Sequence, residues 1–313
     1  MNLWNSQRHP RGGGRDVHLR GVDLVILASC SLAALALVGP AHWAPGAARA
    51  AAFFALFALG PLVLRALEAT FPRQRMLAFV ASFWLLPVLS LGHEMMDPLV
   101  TALTPVLRDT QLVAMDQRLF GAQASVVLGQ LVPPWLTELL MLCYYGHFVW
   151  AIALGVMLYF AGRREAFDEY LLALSLLFAF NYFSYALVPA IGPRYFLFHQ
   201  FSEPLQGVWL TPLLDSVMRT PPFAKDCFPS GHTGVTLLVL LYAFRFEPRL
   251  FRVMLLPGLG LIAATLVGRF HYGTDLLCAV PLVMVVVGLA RGWSRAAVGD
   301  VPARPPDGRI PAS

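Results

Sequence analysis

The sequence predicts an all-α membrane protein, a polytopic helical bundle of about eight transmembrane spans. Hydrophobic residues make up 58% of its 313 residues and charged residues only 13%, whereas a soluble globular domain carries about 25% charged residues. Several apolar runs reach the roughly 17–25 residues that cross a bilayer. The net charge of +5 is spread in short clusters between these runs, which argues against a nucleic-acid-binding protein.

The predicted spans follow the apolar runs in chain order. They cover residues 22–40, 47–64, 76–92, 135–161, 170–191, 231–246, 253–268 and 275–290. Residues 21–109 therefore hold the first three spans and the start of an outer loop. The Gly-, Pro- and Arg-rich ends, residues 1–20 and 293–313, are predicted to be disordered and cytoplasmic.

The distribution of basic residues predicts the orientation of the bundle. Of the 23 Lys and Arg residues, 16 fall in the two ends and in every second loop, and 7 fall on the opposite side. The positive-inside rule then places both ends in the cytoplasm. Two long loops, 93–134 and 192–230, face outward, and the first mixes charged and apolar residues as in amphipathic helices on a membrane surface.

Span 1 has an alternative interpretation as a cleaved signal peptide. An Arg-rich start precedes an apolar stretch from Leu24 to Val38, and Ala48-Arg49-Ala50 could form a cleavage site. The length of the stretch and the second span directly behind it favour a retained helix. Cleavage would leave the orientation of the other seven spans unchanged.

The segment FPSGH, residues 228–232, precedes span 6. Ser230 is a favourable helix cap, and Gly231 lets the backbone approach a ligand closely. The start of a helix offers free N–H groups and the positive end of a dipole, where an anion can bind. His232, in the first turn, is placed to exchange a proton with that anion.

The segment HYGTD, residues 271–275, precedes span 8 on the same outer side. His271 and Asp275 are four residues apart, a spacing that places both side chains on one face of a helix. The carboxylate can then fix the tautomer of the imidazole and leave the other ring nitrogen free to attack.

Together, FPSGH and HYGTD resemble the motifs of the type 2 phosphatidic acid phosphatase (PAP2) superfamily, and more narrowly its inositol phosphorylceramide synthase branch. DQRLFG, residues 116–121, is similar to that branch as well. The resemblance covers about residues 110–290, and the predicted catalytic membrane domain is residues 110–292. It implies a six-helix membrane core and a phosphatase or phosphotransferase that acts on a lipid phosphate through a phosphohistidine, without metal or cofactor.

The resemblance also implies roles for individual residues. His271 would be the nucleophile, Asp275 its orienting partner and His232 the general acid, while Ser230 and Gly231 would offer donors to the phosphate. The usual Ser-Arg ahead of the nucleophile falls on Ala264-Thr265, and Gly192-Pro193-Arg194 stands in place of the usual Lys and Arg-Pro motif. Candidates for the cations that hold the phosphate are, in order, Arg194, Lys225 and Arg269.

Other polar residues have structural or competing interpretations. His93, Glu94 and Asp97 have a spacing that resembles a metal site, but a solvated helix end is the simpler reading. Cys227 is the one cysteine in a loop, and no cysteine or histidine cluster at metal spacing lies near the two motifs. A transporter that uses the histidines for proton coupling is the rival function, although its site would be expected near the bilayer midplane. The lipid, the acceptor and the oligomeric state stay open.

Overall fold

The computed structural model describes residues 18–104, 106–217 and 225–299, and within these ranges the chain forms α-helices and no β-strand. Two short 3₁₀ turns, Pro40–His42 and Phe198–Gln200, join longer elements. The helices are α1 Gly21–Ala36, α2 Ala47–Thr70, α3 Arg75–Phe83, α4 Leu85–Glu94, α5 Met96–Leu103, α6 Asp109–Phe120, α7 Ala124–Leu131, α8 Pro134–Tyr145, α9 His147–Phe160, α10 Arg164–Leu187, α11 Pro193–Phe196, α12 Leu210–Val217, α13 Gly231–Phe246, α14 Pro248–Val267 and α15 Gly273–Gly299.

The apolar helices confirm the predicted class of a polytopic helical bundle. Among the described residues, α2, α10, α14 and α15 are long and apolar enough to cross a membrane, and the bent pairs α3–α4 and α8–α9 raise that number to six. Predicted spans 1 and 6 correspond to α1 and α13, which have 16 residues each. A 16-residue helix is about 24 Å long, which is short of a full hydrocarbon core.

Three details of the predicted spans are wrong. Spans 3 and 4 are each broken, with a 40° bend between α3 and α4 and another between α8 and α9. The second break falls at Gly146, which follows the last residue of α8. Span 8 does not end near residue 290, because α15 continues to Gly299. Residues 1–17 and 300–313, part of the predicted disordered ends, lie outside the described residues.

The hydrophobic core is centred on α10, with α1, α13 and α15 packed around it. Phe167, Tyr170 and Leu177 of α10 are fully buried, as are Leu238 of α13 and Val286 of α15. Short side chains allow close helix contact, since a Cβ at Gly234 would lie 3.3 Å from Leu177. This packing fixes the relative positions of the starts of α13 and α15.

The end of the bundle formed by the start of α10 and the ends of α13 and α15 carries ion pairs. Arg65 donates to Asp23 at 2.8 Å, and Arg20 donates to Asp168 at 3.2 Å. Glu169 accepts from Arg245 at 3.1 Å. The basic residues at this end are those that the charge distribution assigns to the cytoplasm. FPSGH and HYGTD lie at the other end of the same helices.

Helices α5, α6 and α7 occupy the predicted outer loop, as expected, but α6 does not present a simple amphipathic face. Asp109, Leu112 and Asp116 are its buried residues. Two of these three side chains are carboxylates, and both bind other segments of the chain. Helix α6 is therefore fastened to the loops around the histidine motifs.

Candidate active site

The two histidine motifs meet at one end of the bundle. Ser230 caps α13 by accepting a hydrogen bond from Thr233 N at 3.2 Å, as the sequence predicted. Ser230 N donates to the backbone oxygen of Asp275 at 3.2 Å, which joins the start of α13 to the start of α15. The ring centroids of His232 and His271 are 6.1 Å apart. The structure thus brings His232, His271 and Asp275 together.

The His271 ring is held through Nδ1. This atom lies 2.8 Å from the carbonyl oxygen of Cys227 and 3.3 Å from Asp275 Oδ2. Both partners are acceptors, so Nδ1 carries the hydrogen and the lone pair is on Nε2. The expectation that His271 and Asp275 share a helix face is wrong, because α15 begins only at Gly273. The contact arises instead from the turn that precedes the helix.

Asp275 is fully buried and receives two further donors at Oδ2. Tyr272 N donates to it at 2.8 Å, and the Cys227 thiol donates at 2.9 Å. Burial and the neighbouring Asp275 carboxylate raise the pKa of the Cys227 thiol well above its usual range, so the sulfur keeps its hydrogen. Cys227, which the sequence analysis left without a partner, therefore contacts both members of the His–Asp pair.

Cys227, His271 and Asp275 are also the residues here that could hold a metal ion. The sulfur, one ring nitrogen and one carboxylate oxygen lie within 4.8 Å of one another. The expectation that no such cluster lies near the motifs is wrong, since folding brings Cys227 to His271 and Asp275, which lie 44 and 48 positions later in the chain. Hydrogen bonds account for the same contacts, because the thiol and the imidazole both donate toward the carboxylate.

His232 is enclosed by residues from the break between α8 and α9. Its ring stacks on Tyr144 with centroids 4.5 Å apart, and His147 lies at the same centroid distance. Tyr144 also stacks on Phe270, which directly precedes His271 in the sequence; the two ring centroids are 4.6 Å apart. The bend at Gly146 thus places an aromatic ring and a second imidazole against the proposed general acid.

Asp116 of α6 fastens the start of α15. Its carboxylate accepts from Gly273 N at 2.8 Å, from Thr274 N at 2.8 Å and from Thr274 Oγ1 at 2.6 Å. Gly273 and Thr274 are the first two residues of α15, whose N–H groups have no acceptor within the helix. Asp116 is therefore a cap supplied from a distant part of the chain, two residues from His271.

Asp109, two turns earlier on α6, fastens the segment that leads to Arg194. It accepts from Ile191 N at 3.0 Å and Gly192 N at 2.9 Å. The Tyr272 hydroxyl donates to the same carboxylate at 2.9 Å. Burial, followed by the charge of Asp109, raises the pKa of Tyr272, which keeps this phenol a donor. One face of α6 thus binds two segments of the site: residues 191–192, which lead to Arg194, and residues 273–274, at the start of α15.

Two of the three candidate cations lie close to His271: Arg269 is two residues before it in the chain, and Arg194 contacts the backbone of Arg269. Arg194 N donates to Arg269 O at 2.7 Å, and the Arg194 guanidinium pairs with Asp215. Arg269 has a left-handed backbone, with φ of 66°, and its guanidinium lies 4.0 Å from the Phe201 ring centroid. Burial and then the charge of Arg194 lower the pKa of Arg269. Their role as phosphate ligands stays a prediction.

Lys225 is held by residues that precede α6. Its Nζ donates to Asp97 Oδ1 at 2.8 Å and to Thr101 Oγ1 at 2.6 Å. The adjacent Asp226 lies 2.9 Å from His93 Nε2. His93 and Asp97 therefore bind the segment before FPSGH, which differs from the solvated helix end expected from the sequence. Lys225 as a phosphate ligand stays a prediction, and it would first have to leave these partners.

The sequence analysis assigned no role in the site to five residues that the structure places there: Asp109, Asp116, Tyr144, His147 and Cys227. A signal for the two aspartates was present, because residues seven apart lie two turns apart on one face of a helix. Nothing local indicated that their partners lie more than 80 residues away.

One of three comparisons with known proteins identifies a family for the chain. The model of the PAP2 superfamily matches residues 110–289, a segment that begins in α6, ends in α15 and includes both histidine motifs. No curated protein and no solved structure matches the chain. Because the match covers more than half of the 313 residues, this chain belongs to the PAP2 superfamily.

Proposed function

We propose that this integral membrane protein transfers the phosphoryl group of a lipid phosphate ester through a phosphohistidine on His271. The observation that carries the proposal is the state of the His271 ring, whose Nδ1 faces the Cys227 carbonyl at 2.8 Å and the Asp275 carboxylate at 3.3 Å. That arrangement directs the nucleophilic lone pair to Nε2. The family match supports a membrane enzyme of the phosphatase type.

The first step forms a bond between Nε2 and phosphorus and breaks the bond from phosphorus to the lipid oxygen. His232 gives its proton to that oxygen, which leaves as an alcohol. The first turn of α13 presents backbone N–H groups and the positive end of the helix dipole to the phosphate oxygens. Arg194 and Arg269, with Lys225 as a more distant candidate, would neutralise the charge that remains.

The second step resolves the phosphohistidine. His232, now unprotonated, takes a proton from an incoming hydroxyl, whose oxygen attacks phosphorus and releases Nε2 of His271. Water as the acceptor gives a phosphatase and releases inorganic phosphate. An alcohol as the acceptor gives a transferase. In a phospho-head-group transferase of the inositol phosphate type, the phosphate on His271 keeps its inositol while the first lipid alcohol leaves, and a second lipid alcohol accepts the inositol phosphate; the similarity of residues 116–121 to the inositol phosphorylceramide synthase branch supports this option.

Asp275 supports both steps by orienting the ring and by stabilising the positive charge that His271 acquires on phosphorylation. The carboxylate is fully buried and has three donors, so it cannot rotate freely. A buried, fixed negative charge interacts with the imidazolium more strongly than a solvated one does. No metal or cofactor takes part in this scheme.

The proposal places the site on the outer side of the cell membrane. Its support is the charge distribution, since the basic residues concentrate at the other end of the bundle. A cysteine introduced at Gln206 should react with an impermeant thiol reagent on intact cells, whereas one at Glu247 should not. The opposite labelling pattern would refute an external site.

The direct test of the function is to incubate the purified protein with labelled lipid phosphates and to separate the products. Inorganic phosphate should appear with water alone. A new phospholipid should appear when a ceramide-type alcohol accepts the group, and a water-soluble inositol phosphate should appear when an inositol-type alcohol accepts it. His271→Ala should abolish every product. Full product formation by His271→Ala would refute the proposal.

A further inference from the structure

Asn181 of α10 faces the start of α13 with a carboxamide that has no hydrogen-bond partner among the described residues. The residue is 1% exposed, and both Oδ1 and Nδ2 are buried and unpaired. A Cβ added at Gly231 would lie 3.3 Å from Asn181 Nδ2 and 2.9 Å from Tyr185 Oη. The carboxamide therefore points at the residue that begins α13 and precedes His232.

A buried amide without partners is unusual. Leaving such a group unpaired lowers stability, and most buried polar side-chain atoms in native proteins have a partner. Thr233 Oγ1, in the same first turn of α13, and Asp275 Oδ1 are also buried and unpaired within the described part of the chain. Four of the buried unpaired atoms in the described part of the chain thus lie on residues around the FPSGH turn, namely Asn181 Oδ1 and Nδ2, Thr233 Oγ1 and Asp275 Oδ1.

The neighbouring residue on α10 provides a contrast. The Tyr182 hydroxyl donates to Leu89 O at 2.7 Å, so this side chain bonds another helix. Asn181 and Tyr182 are about 100° apart around the helix, and of these two residues only Asn181 lies within 4 Å of the Cβ position of Gly231. Structural bonding therefore explains Tyr182 and leaves Asn181 unexplained.

We propose that Asn181 is a further substrate-binding residue, whose Nδ2 donates a hydrogen bond to an oxygen of the phosphate held at the start of α13. The inference rests on the proposed function. Two independent features agree on the ligand, because the helix start attracts an anion and the amide beside it lacks an acceptor.

The test compares Asn181→Leu with Tyr182→Phe, each measured for kcat/KM on a lipid phosphate and for apparent Tm. Leucine has a similar size and removes the unpaired amide, so its apparent Tm should equal or exceed that of the wild type. Its kcat/KM should fall at least about tenfold. Tyr182→Phe should behave oppositely, with a lower apparent Tm and a kcat/KM within about twofold of the wild type.

Asn181→Asp is the second variant, with orthovanadate as a phosphate-like probe. A carboxylate at this position would repel the anion, so the inhibition constant for orthovanadate should rise at least about tenfold. An Asn181→Leu variant with wild-type kcat/KM and a lower apparent Tm would overturn the inference. If the leucine variant does not fold, an unchanged inhibition constant for Asn181→Asp would overturn it instead.

The two proposals fail in different ways. If the wild type turns over lipid phosphate and the Asn181 variants keep its kcat/KM and its inhibition constant for orthovanadate, only the inference about Asn181 is refuted. A wild-type protein without turnover refutes the proposed function, and the orthovanadate-induced shift in apparent Tm then decides the inference. That shift should be present in the wild type and lost in Asn181→Asp, and its absence from the wild type would refute both.

Discussion

Asp116→Asn tests whether the cap on α15 positions His271, the proposed nucleophile. The carboxylate has three donors within 2.8 Å, and two of them are the first backbone N–H groups of α15. An asparagine keeps one acceptor oxygen but turns an NH₂ group toward the remaining N–H donor. The substitution also removes a negative charge from the positive end of the helix dipole.

The magnitude follows from these losses. One charge-assisted hydrogen bond is worth about 1.5–3 kcal/mol, and the dipole interaction adds about 0.3–1 kcal/mol. We therefore expect Asp116→Asn to destabilise the start of α15 by about 2–4 kcal/mol. Because His271 is two residues from Gly273, a displacement of about 1 Å should lower kcat about 100-fold.

The assay is kcat per folded molecule on a lipid phosphate, together with apparent Tm in detergent. Gln111→Ala on the same helix is the matched control, because Gln111 is exposed. That variant should change stability by less than about 0.5 kcal/mol. A lower apparent Tm with unchanged kcat would make Asp116 purely structural. Wild-type values for both quantities would refute the reasoning about the cap.

Three further predictions concern the chemistry. The activity of His232→Ala on a lipid phosphate should fall about 10²–10⁴-fold. The same variant should keep a larger share of its activity on an aryl phosphate, because the aryl oxygen leaves as a stable anion without a proton. His271→Ala should lose both activities, and the reverse pattern would exchange the two roles. Arg194→Ala should lower turnover strongly and Lys225→Ala less, because Lys225 is bound to Asp97 and Thr101; wild-type turnover in Arg194→Ala with inactive Lys225→Ala would contradict this order. Activity should survive EDTA, whereas loss in EDTA and recovery with a divalent ion would make Cys227, His271 and Asp275 metal ligands.

The features that the sequence predicted well have local causes. Ser230 caps α13 because a hydroxyl can reach the free N–H groups of the next turn, and that geometry involves only neighbouring residues. The apolar runs predicted the bundle for the same reason, since membrane helices satisfy their own backbone groups. The proximity of His271 and Asp275 was also predicted, although a turn before α15 produces it rather than a shared helix face.

The features that the sequence did not reveal depend on contacts between distant segments. Asp116 binds Gly273 and Thr274, which lie 157 and 158 positions further along the chain. Cys227 binds Asp275, which lies 48 positions further along. No periodicity or spacing encodes such pairs. The break at Gly146 was also missed, because apolar runs flank Gly146 and His147 on both sides and were taken as one span. Without the break, the placement of Tyr144 and His147 around His232 could not be anticipated.

The central claim, a covalent intermediate on His271, can be measured directly. Purified protein is mixed with a lipid phosphate that carries a radioactive phosphoryl group, quenched in base and digested, and the labelled peptide is sequenced by mass spectrometry. We predict an acid-labile phosphate on His271, absent from His271→Ala and accumulating in His232→Ala with an aryl phosphate, since that variant lacks the base for the second step. Turnover with no label on His271, or with the label on another residue, would contradict the account.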